Sequence, residues 1–61
     1  MCIYRVEFTE KGGDECHSSF DIAARSCGLA IRRAWKLMKI HGYNLRKYDV
    51  FIVRQTAVLD S

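Results

Sequence analysis

Residues 26–42 read SCGLAIRRAWKLMKIHG, and this stretch decides the fold. Ser26 is a residue that caps helix N-termini, because its hydroxyl can accept from a backbone N–H left free in the first turn. Gly42 can adopt the left-handed conformation that closes a helix. Between them, at 100° per residue, Cys27, Ala30, Ile31, Ala34, Leu37 and Met38 form one stripe, and Arg32, Lys36 and Lys39 lie opposite with Arg33 at the flank. The spacing predicts an amphipathic helix from about Cys27 to His41. An earlier start at Asp21 would place Gly28 in the helix interior at a cost of about 1 kcal/mol against alanine, so Ile22 and Ala24 belong to a strand instead.

Upstream, Cys2 to Glu10 alternates strictly, with Cys2, Tyr4, Val6 and Phe8 on one side and Ile3, Arg5, Glu7 and Thr9 on the other. That is the period of a half-buried strand. A second alternating stretch runs through Ser18, Phe20, Ile22 and Ala24, after a turn at Lys11, Gly12, Gly13 and Asp14. Residues facing each other across a hairpin must point to the same side of the sheet. A two-residue Gly12-Gly13 turn would set Phe8 against His17 and mix the faces. A three-residue loop, Gly12 to Asp14, pairs Lys11 with Glu15, Val6 with Phe20, Tyr4 with Ile22 and Arg5 with Asp21, so apolar meets apolar and plus meets minus.

Downstream, Tyr48 to Gln55 reads as a third strand, with Val50, Phe51, Ile52 and Val53 apolar on both faces. Either Val50 and Ile52 or Phe51 and Val53 face the helix. Leu45 covers one end of the core. A helix returning from the second strand carries the third to the far side of the first in a right-handed crossover. The expected fold is α+β: a two-layer β-β-α-β domain over residues 1–56, with a three-stranded antiparallel sheet in order 2-1-3, one helix on one face, and a short mobile tail at 57–61.

A chain of 61 residues buries only about 60% of the surface its unfolded form exposes, which leaves room for one domain. Its 49% hydrophobic content and absence of proline exclude disorder as the main reading. No uncharged run reaches the length of a membrane span, and Arg5 and Glu7 interrupt any leader core, so the expected location is cytoplasmic. Ten Lys and Arg against seven Asp and Glu give +3, and the charge is polarised. Arg25, Arg32, Arg33, Lys36, Lys39, Arg46 and Lys47 follow the second strand, whereas Glu7, Glu10, Asp14 and Glu15 precede it.

Cys2, Cys16 and Cys27 are an odd number without disulfide-framework spacing and are expected as free thiols. A zinc site from Cys16, His17, Cys27 and His41 would lack any C-x-x-C or H-x-x-x-H pair to seed chelation, so no metal or cofactor is expected. Cys27, on the apolar stripe, is expected to be buried. His17 near the hairpin tip and His41 at the helix end fall at different places with no triad partner, and no enzymatic activity is expected.

The candidate partner-binding residues are therefore Arg32, Arg33, Lys36 and Lys39, with Trp35 or Leu29 as the desolvated centre; Ile40 also projects among the cations. Such a face suits an acidic protein surface. The alternative is a nucleic acid held through its phosphates. One helix leaves the other side of the sheet bare, so Ile3 and one apolar pair of the third strand need a partner. A homodimer through that open face or through an edge strand would supply one. Phe51 alone is a thin platform for stacking bases.

The stretch Phe20, Ile22, Ala24, Ser26, Ala30, Ile31, Ala34, Trp35 is a strand ending in a capping serine and followed by an alanine-rich basic helix. With the first strand and Tyr48 to Arg54, it resembles in layout the small β-β-α-β proteins encoded by phages and prophages. That resemblance implies a host-takeover or anti-defence role, such as an anti-CRISPR-type inhibitor, exerted in the host cytoplasm by occluding a protein surface. It transfers no functional motif.

Overall fold

The computed structural model describes residues 1–59. Strands β1 (Cys2–Glu10) and β2 (Ser18–Ala24) are followed by helix α1 (Cys27–Ile40), a single 3-10 turn (Leu45–Lys47) and strand β3 (Tyr48–Val58). The sheet is antiparallel in order β2-β1-β3, with α1 on one face. Alternation had set the hairpin register correctly: Val6 pairs with Phe20, Arg5 with Asp21 and Tyr4 with Ile22.

The connection between β1 and β2 is wider than the three-residue loop expected. The ladder stops at Phe8 and Ser18, so Lys11 and Glu15 are not a rung. Thr9 and Glu10 continue the strand by pairing with Asp49 and Tyr48 of β3. Beyond them the Lys11 N–H donates to the Lys47 carbonyl at 2.9 Å, and the Gly13 N–H donates to the Glu10 carbonyl at 2.8 Å. Glycine suits that fold-back at 13, because a Cβ there would stand a tight 3.0 Å from the Glu10 carbonyl oxygen. The end of β1 is thus paired on its β3 edge alone, and the chain leaves the hairpin ladder after Phe8.

The helix ends follow their caps. The Ser26 hydroxyl accepts from the Leu29 N–H at 3.3 Å. At the other end Gly42 takes φ +85°, its N–H donates to the Lys39 carbonyl, and the Tyr43 N–H donates to that of Met38, both at 3.0 Å. This is the paired closure of a left-handed C-cap. It makes His41 the capping residue and Ile40 the last helical one.

Val6, Phe8, Ile22, Ala24, Ala30, Ala34 and Met38 form the buried core, and Tyr4, Phe20, Trp35, Leu37, Leu45, Val50 and Val53 pack around it. Cys27, expected in the core, is exposed. It is the first residue of α1, with no preceding helical turn to cover it.

β3 departs from regular alternation. Phe8 faces Val50, yet Val6 faces Val53, so one extra residue is accommodated in between. This bulge places both valines on the helix side. Neither expected pair, Val50 with Ile52 or Phe51 with Val53, faces the helix. Ile52 stands opposite Glu7 on the open side. A second irregularity between Ile3 and Tyr4 lets Ala57 pair with Ile3 and Val58 with Cys2. Residues 57 and 58, expected in the tail, therefore belong to the strand; the last two tail residues, 60 and 61, lie outside the described part.

Replacing Ala34, which is fully buried, by leucine should cost about 1–3 kcal/mol through overpacking. The change would be read as a lower urea midpoint at unchanged m-value. Lys36→Leu on the outer face should stay within about 0.5 kcal/mol. Equal losses would contradict this packing.

Candidate macromolecular interface

Between Cys27 and Ile40 the helix contains no acidic residue. Its outer face carries Leu29, Arg32, Arg33, Lys36, Lys39 and Ile40, which fall within a half-turn of one another at 100° per residue. Arg32, Arg33, Lys36 and Lys39 are all exposed. Arg33 is partly committed, since its guanidinium donates to the Ala23 carbonyl of β2. The ion pairs among the described residues, Arg5 with Asp21 and Arg54 with Glu7, lie on the sheet and leave Arg32, Lys36 and Lys39 unneutralised. Lys39 in the last turn is also favoured by the helix dipole.

The apolar members of this face are Leu29, 37% exposed, and Ile40, 76% exposed. Trp35 is not among them. Its ring is half-buried and meets Phe8 edge-on at 4.7 Å between centroids, so it seals the margin of the core. Leu29, expected on this face beside Trp35, and Ile40 are its exposed aliphatic side chains. The sequence marked Ile40 as an aliphatic residue among cations, although it stood outside the expected site.

The open side of the sheet is less bare than expected. Arg5 Nε donates to Asp21 Oδ1 at 3.0 Å, and Arg54 stands 3.9 Å from Glu7. These charges run across the middle of the face and separate Ile3 from Ile52. The Arg5 guanidinium holds the Asp21 carboxyl below its ordinary range, chiefly through that hydrogen bond. One oxygen of Glu7, Oε2, is buried without a hydrogen-bond partner. Phe51 and Ile52, 38% and 40% exposed, lie at the bulge.

A third group of side chains gathers where α1 ends and β2 begins. The Tyr48 hydroxyl and His17 Nε2 are 3.2 Å apart, and the Ser18 hydroxyl donates to that of Tyr43 at 3.3 Å. The rings of His17, Tyr43 and Tyr48 pack mutually at 5.1–5.8 Å. His41 stacks on Phe20 at 5.9 Å, and with Ser18, Ser19 and Tyr43 these two line a shallow cleft of about 250 Å³. The histidines, expected at separate places, thus share one end of the molecule, with Tyr43 touching both the His17 cluster and the cleft. Burial, then Glu10 and Tyr43, push the Tyr48 phenol up and keep it a neutral hydrogen-bonding group. No local spacing signalled this cluster, because its members come from three separate segments.

Among the described residues, no three His, Cys, Asp or Glu side chains converge as a metal site would require. Cys27 follows the far end of β2 from Cys16 and His17, which separates the four residues considered for zinc. No helix among the described residues is long and apolar enough to cross a membrane. Comparison with protein-family models, with curated proteins and with solved structures finds no match.

Because Asp21 is held below its ordinary range, the Arg5 pair adds stability above that range, and the contribution is lost as pH falls through the lowered value. Asp21→Asn should therefore lower stability slightly at neutral pH and leave it unchanged in strong acid, as read by urea unfolding at both. An equal loss at both pH values would contradict the pairing.

Proposed function

We propose that the chain is a non-enzymatic binding protein that docks the outer face of α1 on an acidic protein surface and occludes it. One observation carries this reading. Among the described residues, Arg32, Lys36 and Lys39 have no acidic neighbour on their own helix and no ion pair on the sheet, and exposed Leu29 and Ile40 flank them. Cations steer the encounter and set its orientation. Aliphatic side chains at the centre of a contact supply the desolvation that holds it.

A phosphate backbone would use the same cations, but it offers little to an aliphatic residue as exposed as Ile40. With Trp35 turned into the core margin, the face also lacks an aromatic on which a base could stack. The resemblance in layout to phage and prophage proteins supplies the purpose: occlusion would inhibit a host protein.

The test compares the intact protein with a variant carrying Arg32→Glu, Lys36→Glu and Lys39→Glu, leaving Arg33 on its Ala23 carbonyl. Affinity for the protein captured from the host should fall by about a hundredfold or more, and Ile40→Asp alone should weaken it about tenfold. Equal capture by all three proteins would move the interface off the helix. Affinity for arbitrary DNA or RNA that falls steeply with salt would replace the protein partner with a nucleic acid.

A further inference from the structure

The sheet order β2-β1-β3 makes β3 an edge strand, with β1 on one side and no strand among the described residues on the other. At 11 residues it is longer than β1 or β2. It contains neither proline nor lysine, the residues that commonly blunt an exposed edge. Among the described residues, no loop or side chain hydrogen-bonds to the backbone of residues 49–58 outside the ladder with β1. The other edge strand differs: β2 has seven residues, and its Ala23 carbonyl is already taken by the Arg33 guanidinium.

The bulge makes this free edge complementary to itself. Val50 and Val53 both lie on the helix side, whereas Asp49, opposite Thr9, and Arg54, opposite Arg5, share the open side. Two antiparallel β3 strands related by a two-fold axis between Phe51 and Ile52 set Asp49 of one copy against Arg54 of the other and Val50 against Val53, each twice by symmetry. Facing residues must lie on the same side of a sheet. A regular strand fails that condition, because residues three or five positions apart fall on opposite sides. The extra residue between Val50 and Val53 satisfies it for both pairs. The charges follow the same register: Arg54 has like-charged Arg5 across the ladder, and exposed Asp49 belongs to neither ion pair among the described residues. Phe51 and Ile52, both exposed, meet their counterparts at the axis.

We propose that a second copy of this chain occupies the free edge, forming a two-fold dimer by antiparallel β3–β3 pairing in this register. The product is one continuous sheet with three strands from each copy. Main-chain hydrogen bonds along the edge supply affinity, and the side-chain pairs fix the register. The apolar residues at the axis are its desolvated centre. A two-fold axis perpendicular to the sheet keeps every side chain on its own side, so both helices lie on one face of the joined sheet with the cations of α1 still turned outward. Assembly stops at two, because each copy spends its one unguarded edge.

Sedimentation of the full-length chain over a concentration series should show a reversible equilibrium between the 7.1 kDa chain and a species of twice that mass, with nothing larger. A mixture of isotope-labelled and unlabelled chains should give intermolecular Overhauser contacts between the Val50 and Val53 methyls. Asp49→Arg should raise the dissociation constant about tenfold, and adding Arg54→Asp should recover most of the loss. Phe51→Lys should leave a monomer, its folding verified, as for the other variants, by the contact between Ala34 and Phe8. The variant with Arg32→Glu, Lys36→Glu and Lys39→Glu should dimerise like the intact protein, which separates this interface from the helix face. A chain that stays monomeric into the millimolar range, growth beyond the dimer, a dimer indifferent to both Asp49→Arg and Phe51→Lys, or intermolecular contacts centred away from β3 would each overturn the proposal.

Discussion

The close approach of α1 to the central strand is the constraint from which the rest of the architecture follows. Ala30 and Ala34 carry only a methyl group each, so the helix lies near enough to the sheet for Val6, Phe8 and Met38 to be sealed completely. A 14-residue helix with bulkier side chains at those two positions would stand off, and a chain this small has no second layer to fill the gap. Each fully buried large apolar side chain contributes about 1.5–3 kcal/mol, so the few present make up much of what stabilises the fold. Once the alanine stripe faces inward, helical geometry obliges Arg32, Lys36 and Lys39 to face out.

β3 completes the helix side of the sheet with Val50 and Val53. The bulge brings both valines to the buried side and leaves Phe51 and Ile52 half-exposed near Glu7 and Arg54. The open face is then crossed by Asp21, Arg5, Glu7 and Arg54, and these charges oppose association through an uninterrupted apolar surface. On the outer helical face, by contrast, Arg32, Lys36 and Lys39 have no ion-pair partner among the described residues, and Leu29 and Ile40 are exposed.

Much of this was legible in the sequence. Strict alternation in β1, matched with Phe20, Ile22 and Asp21, determines the hairpin register, because a slip by one residue would reverse every side chain. Ser26 and Gly42 bound the helix for equally local reasons. The bulge was not legible, since a run apolar on both faces carries no period to interrupt. Nor was the width of the first loop, whose ends are fixed by hydrogen bonds from Lys11 to Lys47 and from Gly13 to Glu10 that no alternation signals. Trp35 sits at the margin of the apolar stripe, and only the position of Phe8 across the sheet decides which way it turns. The His17, Tyr43 and Tyr48 cluster joins groups 31 residues apart, beyond any local pattern. On the outer helical face, the exposure of Arg32, Arg33, Lys36 and Lys39 was legible from helical spacing alone, as was the position of Ile40 among them.

The central claim is that one helix seals one face of the sheet through its alanine stripe and makes no contact with the other face. Methyl-resolved nuclear Overhauser measurements on the folded chain test it most directly. Cross-peaks from the Ala30 and Ala34 methyls to the side chains of Val6, Phe8 and Ile22 are predicted, with none from any α1 residue to Ile3 or Ile52. Alanine methyls without contacts to β1, or helix contacts to Ile52, would contradict the account.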